Sequence, residues 1–260
     1  MKNQRFKMEF EVHYHEINRY EKATPLTILH YLEDAAISHS EAVGQGIEQL
    51  KAQKHAWVLN QWQLQMDSYP ALGEKVIIVT WSAGFERFYG KRDFLITDKN
   101  QRIIGRAASL WIFYNTESKR PSRIPAEFLD AYGFDSRRAL EQPIGEVEIG
   151  TSEQEGAEEQ IFNVRRSDID TNGHVNNANY LQWMLEVVPE DIYQKYHLAA
   201  LEITYKKAIT YGSSIRSKCI SSGLGVKTIG CRHVILWEDA EGQELASAKT
   251  IWELKGVSDC

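Results

Sequence analysis

The sequence predicts an α+β protein in which one structural unit is written twice. Three observations carry this: the chain resembles itself at a fixed offset, each copy opens on a capped apolar helix, and alternating runs cut by turn signals follow each helix. With 260 residues, 43% of them hydrophobic and 25% charged, the chain is long enough and apolar enough to bury a core.

Phe10-Glu-Val12 and Phe162-Asn-Val164 lie 152 positions apart, and the same offset sets Ile17 on Ile169, Asn18 on Asp170, Leu29 on Leu181 and Tyr31 on Trp183. Further on, Gly73 matches Gly212 at 139 and Trp111 matches Trp252 at 141, so the second copy is shorter in its middle. The expected halves are residues 1–138 and 161–260. The 139–160 segment between them reads as an acidic linker, because Ala139 to Val164 holds seven glutamates and no Lys or Arg.

In the first half Thr24 is an N-cap with Pro25 at the first helical position, and Leu26, Leu29, Leu32 and Ala36 repeat at helical spacing until Gly44. The second helix is expected from near Asn176 to Pro189. Tyr180, Leu181, Trp183, Met184, Leu185, Val187 and Val188 leave it little polar face, which marks a buried helix.

Strands follow each helix. Trp62, Leu64 and Met66 alternate with Gln61, Gln63 and Gln65, then come Lys75 to Trp81, Arg92 to Thr97 and Ile103 to Tyr114. The second copy runs Leu201 to Tyr205, Ile215 to Ser221, Cys231 to Trp237 and Glu244 to Leu254. A long central helix wrapped by an antiparallel sheet is a hot dog, and two in one chain make a tandem double hot dog.

Lys and Arg total 30 against 36 Asp and Glu, a net charge of -6 that argues against general electrostatic binding of nucleic acid. Charge is uneven, however. Arg87 to Arg123 holds nine basic residues against Asp93, Asp98 and Glu117, either a solvated face or a surface for an anionic partner. Cys219, Cys231 and Cys260 are too few for a disulfide framework and show no CxxC or Cys/His metal spacing, so no metal is expected. No apolar run reaches the length of a membrane span and the first residues carry no apolar leader pattern, so the expected setting is the cytoplasm.

The densest chemistry is Asp168-Ile-Asp-Thr-Asn-Gly-His-Val-Asn-Asn-Ala-Asn-Tyr180. Asp168, Asp170, Asn172 and Gly173 match the first half of a calcium loop, but Asn179 stands where a bidentate Glu belongs. A purely structural role in ending a strand and capping a helix accounts for Gly173 and one of Asn176 or Asn177. It leaves Asp170, Asn172 and His174 unexplained. A carboxylate, an amide and an imidazole beside a helix N-terminus can orient or deprotonate a water near a polarised carbonyl. If Asp170 to His174 is extended, the i, i+2 and i+4 side chains share a face. No Gly-x-Ser-x-Gly elbow occurs, which disfavours a covalent acyl-enzyme.

These residues, with Trp57-Val-Leu, Tyr69-Pro70, Thr80-Trp81, Lys91-Arg-Asp-Phe-Leu95, Ala107-Ala-Ser-Leu-Trp111 and Arg120-Pro-Ser-Arg-Ile-Pro125, resemble the acyl-acyl carrier protein thioesterases of plants and bacteria, which are double hot dogs. The similarity covers nearly the whole chain. It implies hydrolysis of the thioester between a fatty acyl chain and the phosphopantetheine arm of acyl carrier protein, without a dissociable cofactor. It puts the family's aspartate, asparagine and histidine on Asp170, Asn172 and His174, the acyl chain in the first half and catalysis in the second. Acyl carrier protein is acidic, which gives Arg87 to Arg123 a partner. A homodimer is a candidate assembly. The family's further acidic residue falls on Ala208, followed by Ile209 where plants have cysteine. That departure leaves the general base open between Asp170 and His174. A hot-dog 3-hydroxyacyl-thioester dehydratase and a non-catalytic acyl-thioester sensor are the alternative functions.

Overall fold

The computed structural model describes residues 5–140, 157–170, 172–240 and 242–256. The chain divides into two compact units, Met1–Gln142 and Pro143–Cys260. Each is an antiparallel sheet packed on a buried helix, the α+β hot-dog arrangement expected. Among the described residues no helix is long and apolar enough to cross a membrane.

In the first unit the strands are β1 (Phe6–Glu11), β2 (His55–Met66), β3 (Lys75–Glu86), β4 (Tyr89–Asp98), β5 (Ile103–Asn115) and the short β6 (Arg120–Pro121). The sheet order is β1-β3-β4-β5-β2, with β6 on the end of β5. Helix α1 (Pro25–Ala42) begins where the Thr24 side chain accepts the Thr27 N–H, and ends with Gly44 in the left-handed conformation (φ 75°). It lays Ile28, Leu29, Leu32 and Ala35 against β1 and β3 at no more than 1% exposure. Each of the larger three contributes roughly 1.5–3 kcal/mol by burial. Two short helices, α2 (Ile47–Ala52) and α3 (Glu127–Tyr132), close a second cluster in which Leu50, Phe128 and Tyr132 pack with Phe113, Trp57 and Phe85.

The second unit repeats the plan with β7 (Glu158–Asn163), α4 (Asn177–Leu185), α5 (Glu190–Lys195), β8 (Tyr196–Tyr205), β9 (Ser214–Gly223), β10 (Thr228–Trp237) and β11 (Gln243–Leu254). Its sheet order, β8-β11-β10-β9-β7, is that of the first unit strand for strand, counted from the opposite edge. The helix is not long, however. It has nine residues and stops at Leu185, because Pro189 opens α5 instead of continuing α4.

Most of the expected linker, residues 141–156, lies outside the described residues. Its last residues are not linker but edge strand: β7 begins at Glu158, and Glu159 reaches Arg216 (2.6 Å) and Lys218 (2.9 Å) on β9. A run of glutamates reads as solvated chain when taken alone, whereas opposite basic residues across a sheet make it a strand. The basic segment is likewise not one surface. Arg92 is 8% exposed, its Nη1 donating to His39 Nδ1 (2.8 Å) and Thr80 Oγ1 (3.3 Å). Arg87, Arg120 and Arg123 gather at one end of the strands, where the Ile124 N–H donates to the Arg87 carbonyl and Arg120 pairs with Asn115. Lys99 and Arg102 sit at the other end, on the turn between β4 and β5.

Two histidines are buried in these units. Burial, with the Arg92 charge adding to it, holds His39 down to about 3, and burial holds His233 down to about 4 against a smaller opposing influence of the Met184 backbone. Both are neutral at physiological pH.

Candidate active site

The polar cluster forms a tight turn on the entrance to α4, not an extended run. The Asp170 N–H donates to the His174 carbonyl (2.7 Å) and the Gly173 N–H to the Asp170 carbonyl (3.1 Å). Gly173 takes φ +79°, a conformation that side-chain-bearing residues adopt at a cost. Asp170 organises the turn: its Oδ1 accepts the N–H groups of Asn172 (2.8 Å) and His174 (3.2 Å), and Asn172 Nδ2 lies 3.4 Å from its Oδ2. Asp170, Asn172 and His174 thus come together by a turn, with Asn172 and His174 exposed.

Neighbouring residues fix this turn in place. Asp168, 1% exposed, accepts from the Arg165 backbone N–H (2.7 Å) and guanidinium (2.8 Å). That engagement commits both of its carboxylate oxygens to Arg165, so the calcium reading fails. The Asp168 carbonyl accepts the Asn176 N–H (2.8 Å) and Asn179 Nδ2 (3.1 Å), and Asn176 caps α4 by accepting the Ala178 N–H (2.8 Å). The Ala178 N–H is therefore taken, and a carbonyl oxygen at this helix end would have to use other first-turn donors.

The first unit has the same scaffold with different chemistry. Asn18 Oδ1 accepts the N–H groups of Tyr20 (2.9 Å) and Lys22 (3.3 Å), the Glu16 carbonyl accepts from Thr24 and Thr27, and Thr24 caps α1. Carboxylate and imidazole are replaced by amide and ammonium at the equivalent positions.

Ala208 is exposed and lies beyond the end of β8 rather than on it. Its neighbours bind the site's framework: the Ile209 carbonyl accepts the Val175 N–H (2.9 Å), and the Lys207 carbonyl accepts the Tyr180 hydroxyl (3.3 Å). An acidic side chain here would stand on a segment tied to the turn, yet the chain carries a methyl group.

The fold and this turn define a tandem hot-dog protein with a carboxylate, an amide and an imidazole on one helix entrance. The family described as Acyl-ACP thioesterase N-terminal domain matches residues 3–132, and Acyl-ACP thioesterase C-terminal domain matches residues 151–254. The chain belongs to the acyl-ACP thioesterase family. It is 27% identical over 261 residues to a chloroplastic dodecanoyl-acyl-carrier-protein hydrolase of Cinnamomum camphora, covering 96% of this chain and 68% of that one. A chloroplastic palmitoyl-acyl carrier protein thioesterase of Gossypium hirsutum is also 27% identical, with 64% of its length covered. Among solved structures, the 12:0-ACP thioesterase from Umbellularia californica superposes with a TM-score of 0.84 at 26% identity, over 96% of this chain and 94% of that one. An acyl-ACP thioesterase from Bacteroides thetaiotaomicron shares the fold (TM-score 0.79, 22% identity, 96% and 98% covered).

Proposed function

We propose that this chain hydrolyses the thioester of fatty acyl-acyl carrier protein, releasing free fatty acid, and that Asp170, Asn172 and His174 do the chemistry. The observation that carries the residue assignment is the Asp170 carboxylate: one oxygen gathers the backbone of Asn172 and His174, and the other lies beside the Asn172 amide.

In this reading a water adds to the thioester carbonyl carbon while Asp170 or His174 takes its proton. The Asn172 amide orients a reacting group by hydrogen bonding. Collapse of the tetrahedral intermediate breaks the C–S bond, and the proton returns to the departing sulfur. The products are a carboxylic acid and the free thiol of the phosphopantetheine arm. No dissociable cofactor enters the reaction.

The first unit carries the chemically inert version of the turn and an apolar core against α1, which suits it to holding the acyl chain. Arg87, Arg120 and Arg123, all exposed at one end of its strands, suit an acidic carrier protein. The buried thiols of Cys219 and Cys231 suit a reducing compartment, and the cytoplasm is the setting taken here. The test is release of free thiol from acyl chains of graded length on carrier protein and on coenzyme A, with 3-hydroxyacyl thioesters alongside. Thiol release from saturated acyl carrier substrates is expected. Loss of water from 3-hydroxyacyl thioesters without thiol release would make the chain a dehydratase, and binding without either reaction would make it a sensor.

A further inference from the structure

Cys219 on β9 and His233 on β10 are direct partners across the antiparallel register, and Cys231 lies two residues before His233 on the same face. The two Sγ atoms and an imidazole nitrogen lie within 4.8 Å of one another. All three residues are buried, at 1%, 0% and 3% exposure. The ring is held on one side, where His233 Nε2 is 2.9 Å from Thr250 Oγ1, which also accepts the Trp252 Nε1–H at 2.8 Å. Nδ1 has no hydrogen-bond partner of ordinary geometry among the described residues, and the Met184 backbone is a weaker hydrogen-bonding neighbour of the ring. Ser217, two residues from Cys219 on the same face, has a fully buried hydroxyl with no hydrogen-bond partner among the described residues.

We propose that Cys219, Cys231 and His233 form a structural site for a thiophilic divalent cation, with Zn2+ as its first candidate, separate from the hydrolytic turn. Two thiolates and a neutral imidazole around a doubly charged ion make a neutral group, which limits the cost of burying it. Binding releases the two thiol protons to solvent. Tetrahedral bonds of about 2.3 Å to sulfur and about 2.0 Å to nitrogen set donors roughly 3.5–3.8 Å apart, so no pair of donors need draw in by more than about 1.3 Å. Ser217 lies on the far side of Cys219 from Cys231, four residues along β9 from Cys231's partner Ser221, too far to share the ion, so the protein supplies three ligands. A disulfide suits the place less well. Cys219 faces His233, so Cys231 is its diagonal neighbour, and diagonal sheet positions stand about 7–8 Å apart where a disulfide needs Cα atoms within about 6.8 Å. The site joins β9 to β10 beneath α4 and would brace the second unit from inside.

The test uses the whole chain, reduced, stripped of metal and titrated anaerobically with Co2+, then with Zn2+. A thiolate-to-cobalt charge-transfer band saturating at one ion per chain is expected, bleached by Zn2+, with Zn2+ raising Tm. Cys219→Ala, Cys231→Ala and His233→Gln should each weaken binding tenfold or more, whereas Cys260→Ala, at the remaining cysteine, should leave it unchanged. X-ray absorption of the wild-type Zn2+ form requires no variant to fold, and should show two sulfur ligands and one imidazole. Absence of a saturable band, its loss in Cys260→Ala, or a zinc shell without sulfur would overturn the proposal.

Discussion

Asn18 and Asp170, 152 residues apart, hold the same turn with the same atom: the Oδ1 of each accepts the backbone N–H groups two and four residues further on. Around them the correspondence continues, Glu16 with Asp168 at the strand exit and Thr24 with Asn176 at the helix cap. The duplicated scaffold therefore separates shape from chemistry. An asparagine suffices to build the turn, so the negative charge at position 170 is not required by the fold.

This gives a clean substitution. Asp170→Asn keeps the Oδ1 acceptor that the first unit already uses, so its Tm should fall by no more than a few degrees. Its kcat should fall by about a hundredfold or more, the size typical of losing a positioned acid or base. His174→Ala should do the same, and the double variant should lose less than the product of the two if they act as a unit. Single-turnover thiol release together with thermal melts checks this, and wild-type kcat in Asp170→Asn would end the assignment.

The first unit's turn should be dispensable for chemistry. Tyr20→Phe and Lys22→Ala, at the positions equivalent to Asn172 and His174, should leave kcat within about twofold, since neither side chain makes the hydrogen bonds that hold the turn. Abolished turnover with substrate binding intact would show that both units contribute catalytic groups.

Ala208→Glu should produce no comparable gain in kcat. The position is exposed, beyond the end of β8, and a carboxylate there is free to stay in water. A large gain, measured as kcat on acyl carrier protein substrates, would mark the natural chain as weakened by the loss of an acid at this place.

Charge reversal at Arg87 or Arg120 should raise KM for acyl-carrier protein, most strongly at low salt, and leave small acyl thioesters nearly unaffected. Arg102→Glu, at the other end of the strands, is the internal control and should have little effect. Arg92 is unsuited to this test, because its guanidinium is buried against His39 and its loss would damage the core.

Stability should decline with acid over a window set by the buried histidines. In the unfolded chain a histidine takes up a proton below about 6.5, while His39 stays neutral in the fold to about 3 and His233 to about 4. Their contribution is complete above the unfolded value and is lost as pH falls through that interval, at up to about 1.4 kcal/mol per pH unit for each group. Urea midpoints at pH 7 and pH 5 measure it. His39→Gln, which retains an acceptor for Arg92, should shrink the difference, and an unchanged difference would show that His39 is not neutral in the fold.

What the sequence determined by itself is whatever is local or repeats. The cap at Thr24 with Pro25, the alternation of Trp62, Leu64 and Met66, and the 152 offset are each written in a short window or in a comparison of two windows, so helix starts, strands and the double plan were legible. That Asp170, Asn172 and His174 come together was legible too, although their backbone was not: the period-2 reading made them extended, while the Asp170 carboxylate folds them into a turn. What only the tertiary structure decided depends on partners distant in sequence. Glu159 belongs to a strand because Lys218 stands opposite it and Arg216 reaches it from the diagonal position, and Arg92 leaves the basic surface because His39, 53 residues away, accepts from it in the core. Cys219 and His233 meet through the register of two strands, which no motif spacing records. A hydrogen-bonded ladder joins residues by where strands are aligned, and that alignment is set by the packing of whole faces rather than by any neighbour in the chain.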